Sequence, residues 1–167
     1  GYDATRAKPI SVLDLTTADL PPVVRPPGTE VVPLFMLDER LYDLYELIMS
    51  AHRDDLDDAR DATQTFEDWL RDDAGVPDLE LTGSVVVSVD GVLAAFALMT
   101  SDGAGLAENE FTGTHPDYRG AGLATLAKLA GLHWAREAGV QQVWTGNDAE
   151  NAPMLAINRK LGYRVAG

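Results

Sequence analysis

The chain has 167 residues, no cysteine, three histidines and a formal net charge of −14 at pH 7, which suits one domain with a real core and leaves little room for two. Composition excludes disulfides, thiolate metal sites and cysteine nucleophiles, and the negative charge argues against a nucleic-acid partner, whose phosphates need clustered Lys and Arg. His52, His115 and His133 lack metal-ligand spacing, no run approaches about 18 apolar residues and no basic-then-apolar leader opens the chain, so a cytoplasmic protein without metal or membrane partner is expected.

Residues 1–29 contain "PPVVRPP", Pro21 to Pro27, and read as an extended leader or linker, with one domain over 30–167. Glu30 to Met36 is a short apolar run of strand type, demoted somewhat by Pro33. Leu41, Leu44, Leu47 and Ile48 at helical spacing predict a helix over Leu41 to Met49 behind an Asp38 cap. A second acidic helix covers Phe66 to Arg71 and ends near Gly75 and Pro77. Between Asp38 and Glu80, 15 acidic residues face 4 basic ones, whereas from Gly103 to Gly167 six face six, so nearly all the excess charge lies in one segment.

Ser84 to Thr100 holds two apolar runs joined by Asp90-Gly91, a strong hairpin signal. A strand is expected through Leu106 to Thr114, with Ala107, Asn109, Phe111 and Gly113 on one parity and Leu106, Glu108, Glu110, Thr112 and Thr114 on the other. On that reading two carboxylates share a face that continues toward the glycines that follow. Leu123 to Ala138 is apolar nearly all round, with only Thr125, Lys128, His133, Arg136 and Glu137 strongly polar, and predicts a largely buried helix. Gly139 stops it, "VQQVWTG" makes a short strand, and a last helix carries Pro153 in its first turn and Gly162 beyond its end. The order predicts a mixed α/β sheet with a strand, loop and helix unit at its centre.

That unit, "HPDYRGAGLATL", places Arg119, Gly120 and Gly122 at the mouth of a helix. The first four amides of a helix lack internal partners and carry about half a positive charge, and glycines let an anion approach them closely. A pyrophosphate suits such a place; a glycine-rich turn that merely closes a corner is the plainer alternative. A dinucleotide fingerprint is not matched, because Thr125 stands where its third glycine or alanine belongs, and the Lys of a P-loop is absent. Asn151 and Asn158 lie two turns apart on one face of the last helix, with Met154 between them, and amides in such a stripe need partners.

Together the two motifs resemble the GNAT superfamily of acyl-coenzyme A-dependent N-acetyltransferases. Arg119 to Ala124 is similar to its R/Q-x-x-G-x-G/A signature. "NDAENAPMLAINRKLGY", Asn147 to Tyr163, is similar to its last helix in two-domain actinobacterial members. The resemblance is specific from about Glu108 to Tyr163 and implies a central mixed, mostly antiparallel sheet with splayed parallel strands, flanked by helices. It also implies acetyl-coenzyme A as cosubstrate, its pyrophosphate on the amides of Arg119, Gly120, Ala121, Gly122, Leu123 and Ala124. Its pantetheine arm would then lie along Thr112, Gly113 and Thr114, with Asn147, Asn151, Met154 and Asn158 on the other side.

By the same resemblance Glu108 is the candidate catalytic base, Glu110 the reserve, and a backbone amide near a strand bulge the oxyanion stabiliser. The acceptor is a small amine, drawn to the acidic Asp38 to Thr100 region if it is cationic. A carboxylate near pKa 4.3 facing an alkylammonium near 10.4 falls roughly six units short, so the base has to be desolvated, relay through water, or meet an amine of lowered pKa. Many relatives place a proton-donating tyrosine where this chain has Asn158, which leaves a coenzyme A-binding or scaffolding domain as the alternative to an active enzyme. Only four residues follow Tyr163, fewer than the family's closing strands use, so the chain is expected to be a piece of a larger two-domain protein; a second domain of this kind or a homodimer is the expected assembly partner.

Overall fold

The computed structural model describes residues 10–54, 64–146 and 152–166. Seven strands form one sheet: β1 (Ile10–Asp14), β2 (Thr29–Pro33), β3 (Val85–Val89), β4 (Val92–Ser101), β5 (Leu106–Thr114), β6 (Gln142–Gly146) and β7 (Arg164–Val165), in the order β2-β3-β4-β5-β6-β1-β7. All neighbouring pairs run antiparallel except β5 and β6. Among the described residues, four helices cover the sheet: α1 (Leu41–Asp54), α2 (Phe66–Trp69), α3 (Leu123–Glu137) and α4 (Ala152–Leu161).

Side chains on β4 alternate between two cores, as the period of two requires. Phe96 and Leu98 pack with Leu44, Ile48 and Trp69 of α1 and α2, whereas Ala95, Ala97 and Met99 face α3. The second core continues through Leu129, Leu132, Val143, Leu161 and Tyr163, so α3 and α4 share one layer. Asp90 (φ 49) and Gly91 (φ 86) form the expected two-residue hairpin between β3 and β4.

The structure departs from the sequence reading in four places. Ile10–Asp14, inside the stretch read as a leader, is a strand between β6 and β7, and Leu13, Leu15 and Leu20 enter the core. His133 Nε2 meets the Pro21 carbonyl at 2.6 Å and ties the proline segment to α3. The run at Glu30 to Met36 ends as a strand at Pro33, which supplies no further N–H to a ladder, and Leu34–Met36 turn as a 3-10 helix. Asp38 caps nothing: it sits in a second 3-10 turn, Asp38–Arg40, that leads directly into α1. α2 opens as expected, with Thr65 Oγ1 accepting from the Asp68 N–H.

Strand β5 shows the most consequential difference. Leu98 of β4 pairs with Phe111 but Met99 pairs with Asn109, so Glu110 is an extra residue without a partner opposite. Such a bulge reverses the alternation beyond it. Ala107 faces the α3 core, but Phe111 packs with Phe96 on the α1 side and Gly113 lies against Ala51 and Phe96. Thr112 and Thr114 pair with Ala97 and Ala95 and therefore turn to the α3 side, away from Glu108, whose partner is Thr100. The expectation of one continuous face from Glu108 to Thr114 is corrected by this single residue.

Candidate functional site

β5 and β6 pair only from Leu106 to Asn109, opposite Gln142 to Thr145, and the hydroxyl of Thr145 donates to the Asn109 carbonyl at 3.2 Å. Among the described residues, no strand pairs with that edge of β5 beyond Asn109. The orientation of its backbone follows from β4. The His115 N–H donates to the Ala94 carbonyl at 2.7 Å, so by antiparallel alternation Gly113 and Phe111 also spend their polar groups on β4. The N–H and C=O of Thr112 and Thr114 are therefore turned toward the open edge, where an extended amide-bearing chain can pair with them.

A short 3-10 turn, Pro116–Tyr118, follows, with His115 Nδ1 accepting from the Asp117 N–H at 3.1 Å. Arg119 is extended, Gly120 has φ 82 and Gly122 has φ 75, a left-handed pair that L residues adopt only at a cost. Gly122 is the N-cap of α3; no side chain caps that helix and no acidic residue lies in its first turn. Arg119, Gly120, Ala121 and Gly122 are exposed, and a Cβ added at either glycine would meet no protein atom within 4 Å. The orphan amides and the positive dipole end thus open onto free space beside Arg119, as an anion site requires. Leu123 is buried and Ala124 half-buried, so their contribution to that site is backbone alone.

On the opposite face, Glu108 and Glu110 come within hydrogen-bonding reach of one another, and Thr100 Oγ1 donates to Glu110 Oε1 at 3.1 Å. Although Glu108 is exposed by area, partial burial first, and Glu110 second, push its carboxyl above the ordinary range. On the α1 side of β4, a cleft of about 300 Å³ opens between Leu41, Leu44, Trp69 and Leu98, with Asp38 and Asp73 on its wall. The bulge at Glu110 thus separates the edge at Thr112 and Thr114 from the face that carries Glu108.

Asn158 is buried at 3% exposure and accepts, through Oδ1, a hydrogen bond from the ammonium of Lys128. Lys128 itself is 1% exposed, lies 4.0 Å from Met154 Sδ, and sits 5.0 Å from the centre of the Tyr163 ring. Its amine is lowered to about 8 by burial. The Tyr163 hydroxyl and Asn109 Nδ2 lie beside one another, yet both are buried without meeting hydrogen-bond geometry, and burial pushes the phenol up. Sequence reasoning counted Lys128 only as a polar interruption of α3 and did not single out Asn109; a lysine one turn from Ala124 and Leu132 on the buried stripe was the available signal. Asn147 and Asn151 lie outside the described residues.

The chain belongs to the acetyltransferase (GNAT) family, whose sequence model matches residues 41–163. It is 37% identical over 70 residues to the mycothiol acetyltransferase of Thermobifida fusca (strain YX), a match covering 38% of this chain and 22% of that protein. Its fold is similar to a GCN5-related N-acetyltransferase from Sphaerobacter thermophilus, with a TM-score of 0.72 and 20% identity over 96% of this chain and 49% of the other. It is also similar to a tandem GNAT protein from the clavulanic acid biosynthesis pathway, with a TM-score of 0.64 and 26% identity over 96% of this chain and 50% of that one. The chain therefore spans about half the length of these solved relatives.

Proposed function

We propose that this chain transfers the acetyl group of acetyl-coenzyme A to a primary amine of a small, cationic acceptor. The observation that carries the reading is the adjacency of two backbone surfaces that have no partner among the described residues: the edge at Thr112 and Thr114, and the mouth of α3. The first suits an amide-bearing arm and the second a diphosphate, and the buried, unpartnered Asn109 Nδ2 between β5 and α4 adds a polar group in want of an acceptor. Acetyl-coenzyme A, when bound, supplies a thioester carbonyl open to attack by an amine.

On this reading Glu108 takes the proton from the incoming ammonium, directly or through a water. Its raised carboxyl is a better match for an amine than an ordinary glutamate, though the gap stays wide enough to require further desolvation. Glu110 keeps negative charge beside it and draws the cation. The apolar wall of Leu41, Leu44 and Trp69 holds the carbon skeleton of the acceptor, and Asp38 and Asp73 hold a second positive group. Backbone amides at the bulge stabilise the charge that develops on the carbonyl oxygen.

A second reading, a coenzyme A-binding or scaffolding domain with little turnover, is favoured by Asn158, whose amide cannot act as an acid and whose Oδ1 is occupied by Lys128. A homodimer or a second domain of the same family is the assembly partner we propose on either reading.

One experiment separates the two. Acetyl-coenzyme A is titrated calorimetrically, and thiol release is followed with monoamines, diamines, polyamines, aminoglycosides and the acceptor of mycothiol acetyltransferases. The enzyme reading expects binding and amine-dependent release. Binding with no release across the panel would support the second reading, and no binding would sink both.

A further inference from the structure

We infer that the cleft between α1, α2 and β4 selects the acceptor: it takes an ammonium on an unbroken apolar body and passes over amines whose carbons carry hydroxyls. This deepens the acetyl-transfer reading above, and rests on it for the fate of the amine but not for its binding.

The first argument is the chemistry of the lining. Apart from Asp38 and Asp73 the cleft wall is apolar, and among the described residues the Trp69 indole N–H is the one side-chain donor on it. Carboxylates accept and do not donate, so a cation finds partners there while most hydroxyls of a sugar would be buried without them. A volume of about 300 Å³ lies at the small end for ligand sites and suits one ring or a short alkyl chain.

The second argument is charge. Arg40 pairs with Asp43, and Arg71 pairs with Asp68 and Asp72, so neither cation neutralises Asp38 or Asp73. Asp73 is held in place by a neutral group instead. Gln64 Nε2 donates to Asp73 Oδ2 at 2.8 Å, and the Tyr45 hydroxyl of α1 donates to the Gln64 carbonyl. A carboxylate fixed in this way keeps its charge for a ligand and loses little freedom on binding one.

The third argument is the backbone. Asp38 has φ 38, a left-handed conformation that costs a residue other than glycine. On the facing wall α2 continues as a π-helical turn, Leu70–Ala74, which contributes Leu70, Asp73 and Ala74 to the cleft. Such turns are rare and gather at functional sites. Phe35 and Leu81, 54% and 50% exposed, keep the lining apolar out to solvent.

The fourth argument is place. Leu79, on the cleft wall, pairs with Thr100, and Thr100 pairs with Glu108. Two backbone pairings thus connect the cleft to the carboxylate proposed as base.

The test reads the indole N–H shifts of Trp69, Trp134 and Trp144 by NMR in the full chain, without acetyl-coenzyme A. The probes are 2-phenylethylamine, its neutral analogue 2-phenylethanol, and glucosamine. The Trp69 signal should move and saturate with 2-phenylethylamine at about fivefold lower concentration than with 2-phenylethanol, the effect of one partly exposed ion pair. Glucosamine should leave it in place. Asp38→Asn together with Asp73→Asn should remove the preference for the amine while the alcohol binds as before. Ala74→Met, which fills the cleft, should weaken both ligands, and the spectra of the free variants check that each folds.

No Trp69 shift with the amine, equal affinity for amine and alcohol, a saturating shift with glucosamine, or unchanged affinity in Ala74→Met would each overturn the inference. With acetyl-coenzyme A added, KM for 2-phenylethylamine should lie below that for glucosamine; the reverse order would overturn the inference while acetyl transfer stood. The expected Trp69 titrations without thiol release from either amine would instead overturn the enzyme reading and leave the selectivity of the cleft in place.

Discussion

At the scale of the residue, the proposed function gives two carboxylates on either side of a bulge different work to do. Glu108 is raised by partial burial and then by Glu110, so its deprotonated form, the one that accepts a proton, is lost as pH falls through a value above that of an ordinary glutamate. The acid limb of kcat/KM should therefore lie higher than for a free carboxylate. Glu110→Gln removes the second cause and should move that limb to lower pH with a modest change in plateau rate. Glu108→Gln should abolish the limb and cost roughly 10²-fold or more in rate, the usual contribution of a positioned base, with acetyl-coenzyme A affinity retained. Rate profiles of the two variants side by side check the assignment; a profile in which Glu110→Gln loses the limb would exchange their roles.

At the scale of the element, β5 and the mouth of α3 carry the proposed site, and they were not equally legible. The glycine loop was readable because its chemistry is local: a strand, two glycines and an uncapped apolar helix are consecutive in the chain. The bulge was not. Alternation along "LAENEFTGT" gives no sign that Glu110 lacks a partner, since that depends on where β4 places Leu98 and Met99. The same limit hid Lys128, whose meaning arises only when α4 brings Asn158 against α3.

The loop itself yields a controlled prediction. Gly122→Ala forces an L residue into φ 75 and should cost about 1 kcal/mol of stability. Gly91→Ala imposes the same kind of strain in the hairpin at φ 86, and neither added Cβ meets protein within 4 Å. Melting temperatures should fall alike in both, but only Gly122→Ala should weaken acetyl-coenzyme A binding, by about tenfold or more, because its methyl enters the space that an anion must occupy. Equal affinities in calorimetry would remove the α3 mouth from the binding site.

At the scale of the whole molecule, the leader reading failed for a physical reason worth separating from the charge reading. A proline-rich stretch does resist secondary structure, and residues 21–28 hold no strand or helix apart from a turn. Ile10–Asp14, however, needs no periodic run of its own. It is a short strand whose buried Ser11 and Leu13 find partners only because β6, some 130 residues later, lies alongside. Long-range pairing of this kind leaves a weak local signature. Charge is different, because it acts at a distance and can be counted without knowing the fold.

The acidic segment from Asp38 to Glu80 supplies helices α1 and α2, which wall the cleft that carries Asp38 and Asp73. Its excess of 15 acidic over 4 basic residues makes a field that should concentrate cations around that segment. Such a field is screened once the Debye length shrinks from roughly 20–30 Å near 10–20 mM salt to only a few ångströms near 0.5 M. If the acceptor is held by that field, KM for a diamine should rise several-fold across that range, and more steeply than KM for a monoamine of the same chain length, which has only the reacting nitrogen to offer. Asp38→Asn together with Asp73→Asn should flatten the difference. Parallel salt dependence for both amines would mean that the carboxylates merely solvate a helical surface and that the acceptor is chosen by the apolar wall alone.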